Sequence, residues 1–249
     1  MLRILRALAV LAALGLGGCA SAARSGPAIA DVPSLIAAMH DRYAGTWYQT
    51  LSFTQATTRV TGDSSHTEEW REWAAIPGRL RIEMGPPAEG RVVIYARDST
   101  YVLQHNRVVR RVGRMNPLMT MGFDVYRQAP EITLDQLQRQ GFDVTRFHVD
   151  TLEGTPVYVM GAERGDSTRR QIAIEQERLL FIRMLETLPS QPGVMQHVWF
   201  RGYQPLEGGW IAPEVEVLVN GRRVFHEVYS NIRANDSLDA GLWAIPASD

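Results

Sequence analysis

Six histidines, at positions 40, 66, 105, 148, 197 and 226, are the side chains best suited to hold a metal or move a proton, and their spacing serves neither. They are scattered, none stands in His-Glu-x-x-His, and a single cysteine offers no thiolate cluster. Two Gly-Asp-Ser triplets, Gly62-Asp63-Ser64 and Gly165-Asp166-Ser167, could present a serine nucleophile, with Asp63 and His66 close to the first. Gly, Asp and Ser are equally the default residues of turns between strands. No Gly-x-Ser-x-Gly is present. The reading is a binding protein with no catalytic residue, no metal and no cofactor. Arg110, Arg111 and Arg114 form a cationic cluster that could meet phosphates, as could Arg169-Arg170. A solvated strand edge accounts for both at least as well.

The one residue placed for covalent chemistry is Cys19. Arg3 and Arg6 open the chain, Leu8 to Leu16 is apolar, and Leu16-Gly17-Gly18-Cys19 closes the run. The apolar stretch is far shorter than the ~20 residues that span a bilayer, so residues 1–18 read as a removable export signal. The closing run resembles the lipobox of bacterial lipoproteins, whose cysteine thiol is acylated and becomes residue one. That resemblance implies a membrane anchor of palmitate-type chains on Cys19, with residues 19–31 as a small, polar tether. It places the protein in the cell envelope, facing the periplasm. Ala20 after the cysteine favours the outer membrane over the inner. Ordinary secretion, with cleavage near Ala20-Ser21-Ala22, gives the same compartment without the anchor. A sole cysteine allows no intrachain disulfide. The formal net charge is −1, all basic residues are arginine, and no basic excess points to nucleic acid.

The elements that follow are mostly strands. Val32 to Tyr43 has a helical pattern, with Asp31 or Ser34 as a cap, Pro33 in the first turn, and Leu35, Ile36 and Met39 on one face. Trp47 to Gln55 then alternates with period two, as do Glu68 to Ala75 and Arg79 to Met84. Short strands are expected at Val92 to Ala96, Thr100 to Gln104 and Val108 to Val112. The meander is interrupted by an apolar segment, Met115 to Tyr126, with Asn116 as a cap and Pro117 at the first helical position. A second short helix is expected at Leu134 to Gln140, with Thr133 and Gln136 spaced as a capping box. Strands resume at Asp143 to Val149, Pro156 to Ala162, Gln171 to Glu175, Leu179 to Leu185, Met195 to Tyr203, Ile211 to Val219 and Arg223 to Asn231. About a dozen strands and two or three helices predict a mainly β fold of one domain, residues 32–249. Its antiparallel sheet would curve into an open or complete barrel.

One-sided strands must bury their apolar face, and few helices are available to cover a long curved sheet. A hollow lined by Leu51, Phe53, Trp70, Leu80, Ile82, Met84, Tyr101 and Leu103 is the expected consequence. Met115, Leu118, Met119, Phe123 and Tyr126 are the candidates for a lid over it; ordinary core is the plainer reading of that segment. Unbranched methionine re-packs around variable guests. At about 0.8 kcal/mol per buried methylene, a chain of roughly fifteen is worth about 12 kcal/mol on leaving water, in a membrane or a pocket alike. Transfer between the two is then nearly balanced.

These residues resemble the LolA/LolB-like lipoprotein-localisation superfamily. Phe53-Thr54-Gln55 is similar to its F-x-Q element, and Pro77-Gly78-Arg79-Leu80-Arg81 to its Pro-Gly turn and strand. Pro86-Pro87, Val92-Val93-Ile94 and Asp98-Ser99-Thr100-Tyr101 follow in the family's order, then Asn116-Pro117-Leu118-Met119, Gly208-Gly209-Trp210-Ile211-Ala212-Pro213 and Leu238 to Trp243. The resemblance implies a half-barrel, an incomplete β-barrel, with helices covering its open concave side. It implies binding of lipid acyl chains or lipoproteins without catalysis, in lipid or lipoprotein sorting. Soluble carriers of the family place a lid-latching Arg before the Pro-Gly turn; here that residue is Ile76. An anchored receptor fits this departure better than a soluble shuttle. An envelope protein-interaction or sensor module on the same fold, with protein partners and no lipid cargo, is the alternative.

Overall fold

The computed structural model describes residues 28–188, 191 and 193–246; Cys19 and the export signal lie outside them. The chain enters through α1 (Val32–Tyr43), whose first turn is closed by reciprocal bonds between Asp31 and Ser34. Six strands follow: β1 (Thr50–Thr61), β2 (Ser64–Ala75), β3 (Arg79–Met84), β4 (Arg91–Ala96), β5 (Ser99–Gln104) and β6 (Arg107–Val112). The interruption consists of α2 (Pro117–Gly122), a 3-10 turn at Asp124–Tyr126 and α3 (Pro130–Arg139). Nine strands complete the fold: β7 (Phe147–Leu152), β8 (Thr155–Met160), β9 (Gln171–Glu175), β10 (Phe181–Thr187), β11 (Met195–Arg201), β12 (Gln204–Leu206), β13 (Gly209–Ile211), β14 (Glu214–Val219) and β15 (Arg222–Ala234).

Thirteen of these strands form one curved antiparallel sheet in the order β6-β5-β4-β3-β2-β1-β15-β14-β11-β10-β9-β8-β7. The last strand, β15, pairs with the first, so two meanders are stitched together at the middle of the sheet. Strands β6 and β7 are its two edges and do not pair with each other, so the sheet is not closed into a barrel. Arginines 107, 110 and 111 on β6 discourage further strand addition at that edge. Strands β12 and β13 form a separate hairpin packed on the chain after α1. That hairpin explains Gly208 and Gly209. A Cβ on Gly208, whose φ is +78°, would lie 2.4 Å from the Thr46 carbonyl oxygen, and one on Gly209 would lie 2.8 Å from the Trp47 ring.

The register assigns every strand face. Residues directly opposite in an antiparallel pair share a face. One continuous face therefore carries Leu51 and Phe53, then Glu72 and Ala74, then Leu80 and Ile82 on one side of β1. On the other side it carries Glu227 and Tyr229, Val215, Phe200, Met184, Ile172 and Met160. Leu35, Ile36 and Met39 of α1, Met119 and Met121 of α2, Val125, Tyr126 and Leu137 share one apolar cluster with this face.

Several expectations are corrected. The strand expected at Asp143 begins at Phe147, because Asp143 accepts from the Thr145 amide at 3.0 Å and makes a turn instead. Thr133 and Gln136 do not cap a helix. The helix starts earlier, at Pro130, and both side chains accept hydrogen bonds from Gln128 Nε2, at 2.9 and 2.7 Å. Tyr101 and Leu103 fall on the opposite face of the sheet from Leu80 and Ile82. Leu80 and Ile82 oppose Tyr95 and Val93, whereas Ile94 and Val92 oppose Tyr101 and Leu103. There they join a second small cluster with Val92, Ile94, Val108 and Ile245.

An apolar hollow with two carboxyls on its wall

Strands β1, β2, β3, β11, β14 and β15 and the α2 segment line a hollow of about 90 Å³. Leu51, Phe53, Ala74, Leu80, Ile82, Phe200 and Val215 supply the sheet side, and Asn116, Leu118, Met119 and Phe123 the helical side. Helix α2 is set there by its own sequence. Asn116 Oδ1 accepts from the Leu118 amide at 3.0 Å, and Pro117 takes the first helical position, where no amide hydrogen is needed. Of the residues expected in the wall, Leu51, Phe53, Leu80 and Ile82 meet Leu118, Met119 and Phe123. Trp70 and Met84 share the face but do not line the hollow. Trp70 lies 6.1 Å from the Phe225 ring, with the Arg59 guanidinium 4.8 Å above it.

The two remaining candidates of the segment sit elsewhere. Tyr126 is an anchor. Its ring stacks on Trp47 at 3.9 Å, its hydroxyl donates to the Leu179 carbonyl at 3.1 Å, and it accepts from the Phe181 amide at 3.3 Å. Met115 lines a separate polar cleft of about 600 Å³ with Arg114, Arg139 and Arg170. The cations of that cleft are paired, Arg170 and Arg114 with Glu186 at 3.3 and 3.8 Å, and Arg139 with Asp135 at 2.6 Å. The segment is also tied to the Pro-Gly turn. Gly78, two residues after Ile76, donates its amide hydrogen to Asp124 Oδ1 at 3.0 Å. Arg127 bonds the Trp47 carbonyl beside it.

Two wall residues escape the sequence pattern. Glu72 and Glu227 both line the hollow, and Glu72 is only 6% exposed. Burial pushes the Glu72 carboxyl well above the usual range, and the Glu227 charge pushes it further. Burial raises Glu227 too, against the hydrogen bonds it receives from the Tyr229 hydroxyl and Gln55 Nε2, each 3.1 Å. Their signal in the sequence is a glutamate inside each apolar stripe, Trp70-Glu72-Ala74 and Phe225-Glu227-Tyr229.

The residues of the two Gly-Asp-Ser triplets lie outside this hollow. Ser64, Ser65 and His66 are exposed at the start of β2, and Asp166 accepts from the Thr168 amide and hydroxyl within its own turn. Among the described residues no cluster of three or more His, Cys, Asp or Glu could hold a metal. No described helix is long and apolar enough to cross a membrane.

An open, curved antiparallel sheet with an apolar hollow against a short helical segment defines the class. The chain has a LolA-like fold. It is similar to a DUF1329 family protein from Desulfovibrio piger, with a TM-score of 0.57 at 14% identity over 86% of this chain and 95% of that one. It is equally similar to an outer membrane lipoprotein-sorting protein domain from Vibrio parahaemolyticus, with a TM-score of 0.57 at 13% identity over 85% and 95%. A LolA superfamily protein from Nitrosomonas europaea follows, with a TM-score of 0.52 at 11% identity over 86% and 98%. No described protein family and no curated protein matches the sequence.

Proposed function

We propose that this protein is a non-enzymatic lipoprotein of the cell envelope that holds lipid acyl chains or lipidated proteins in the hollow under α2, in lipid or lipoprotein sorting. In this reading residues 1–18 are the export signal and acylated Cys19 is the anchor. Residues 19–31 are the tether, and 32–249 form the binding domain at the periplasmic face of the outer membrane. Helices α2 and α3 cover the open concave side of the half-barrel. The observation that carries the reading is the meeting of Leu51, Phe53, Leu80 and Ile82 with Leu118, Met119 and Phe123 around open space. The likeness in fold to a lipoprotein-sorting domain supports it.

At about 90 Å³ the space is too small for a whole acyl chain. Loading therefore displaces Leu118, Met119 and Phe123, and unbranched Met119 is suited to re-packing. Ala74→Leu tests the site directly. Three added carbons on a wall residue that is only 2% exposed occupy the hollow without adding a polar group. The variant is expected to fold with nearly unchanged stability and to lose at least about tenfold in affinity for a fluorescent long-chain alcohol, since filling a void displaces the guest but strains little. Unchanged affinity in a folded variant would remove the hollow as the binding site. For the anchor, the intact mass of protein extracted from its native membrane should lack residues 1–18 and carry added acyl mass at Cys19. An unmodified cysteine would exclude the tethered form.

A further inference from the structure

We propose that Glu72 and Glu227 form the polar end of the hollow and select an amphiphile headed by a primary ammonium over one headed by a carboxylate. This deepens the acyl-binding reading and rests on it. The two residues reach the hollow from strands on either side of β1. Glu227 is supported by Gln55 and Tyr229. Among the described residues no hydrogen-bond donor reaches Glu72, although it is almost wholly buried. Gln55 Oε1 beside this network is fully buried and has no partner. The polar end thus has more acceptors than donors. A buried acceptor without a donor is costly, and an apolar residue would pack the same wall without that cost.

The nearest cation does not fill the gap. Arg59 lies close enough to act on Glu227 electrostatically, but its guanidinium is held by Glu68 at 2.5 Å and over the Trp70 ring. Tyr95 and Tyr229, the other titratable groups acting on the pair, are phenols that stay neutral. A primary ammonium brings three donors and one positive charge, which is what the pair lacks. Its own burial is offset by charge-assisted bonds to the carboxyls. A carboxylate head would instead bring a further negative charge to a site whose two acidic groups already hold each other back from ionising together.

Matched twelve-carbon probes decide it: dodecylamine, dodecanol and dodecanoate, titrated calorimetrically below their aggregation limits at neutral pH. The expected order on the unaltered protein is amine tightest by at least about tenfold over the alcohol, and the carboxylate weakest. That is the scale of one bond to a charged group. Glu72→Gln with Glu227→Gln should bring amine and alcohol within about threefold of each other, because amides retain the shape and lose the charge. An alcohol that binds as well as the amine overturns the proposal and leaves the acyl-binding reading standing. A preference that survives both substitutions overturns it equally. Absence of binding by all three probes overturns both. Should the double variant not fold, the order of the three probes on the unaltered protein decides alone.

Discussion

Asp124→Asn is expected to stabilise the protein at pH 8 and to leave it nearly unchanged at pH 4. Asp124 is only 3% exposed, and its carboxyl accepts one hydrogen bond, from the Gly78 amide. Burial outweighs that bond and pushes the carboxyl up from 3.8 to about 7. A carboxyl raised by folding favours the fold in its protonated form. Its contribution is therefore complete below pH 3.8, declines as pH rises, and is lost above about 7. At 1.36 kcal/mol per unit, the span corresponds to about 4 kcal/mol at most. Asparagine keeps the oxygen that accepts from Gly78 and presents a donor where the protonated acid has one, but never ionises. A gain of about 2 kcal/mol or more at pH 8 is expected, read from urea unfolding at pH 4, 6 and 8. Glu72 and Glu227 are raised for the same reason, within a shell of Tyr95, Tyr229 and Arg59. The variant's profile is thus flattened rather than flat. A loss of stability at pH 8 would show that the ionised carboxylate is the favoured form there. That outcome would make the Asp124–Gly78 bond a charge-assisted tie between the helical segment and the Pro-Gly turn.

What the sequence made legible was whatever is local. The start of α1 followed from Asp31, Pro33 and Ser34, because a capping box and a first-turn proline are settled within four residues. Helix α2 followed from Asn116-Pro117 for the same reason. The alternation in β3 placed Leu80 and Ile82 on one face. What failed was continuity between elements. Each turn resets which of two alternating sets points inward, and a slip of one residue exchanges the faces. Tyr101 and Leu103 were lost in that way, since only the pairing of Val93 with Val102 shows which set of β5 continues the wall. The outer ends of β1 and β2 were missed for another reason. Thr58 to Thr61 and Ser64 to Thr67 are largely polar and carry no buried stripe, so their strand character comes from pairing with neighbouring strands. Glu72 and Glu227 stand as charges within the alternating sets of β2 and β15, and only the pairing with Phe53 and Val215 shows that those sets face the hollow.

Tyr126→Phe is expected to loosen the α2 segment at its anchored end and to cost about 2–4 kcal/mol of stability, because one oxygen serves two buried backbone groups. Without it the Leu179 carbonyl and the Phe181 amide lose their partner in a wholly buried setting, while the ring stays stacked on Trp47. The other end of the segment behaves differently. Phe123 lines the hollow and is only partly buried, so Phe123→Ala enlarges the space more than it unties the fold. Under the proposed function the two ends have separate roles, one fixing the cover and one yielding to the guest. Hydrogen exchange should then show faster exchange across Pro117–Gly122 in Tyr126→Phe, with quicker release of a bound long-chain alcohol. Phe123→Ala should bind bulkier chains with little change in exchange at Leu179 to Phe181. If Tyr126→Phe leaves α2 as protected as before and release unchanged, the segment is held by its apolar contacts alone. The tyrosine hydroxyl would then serve only the β10 backbone, and any movement of Leu118, Met119 and Phe123 would have to begin without help from the anchor.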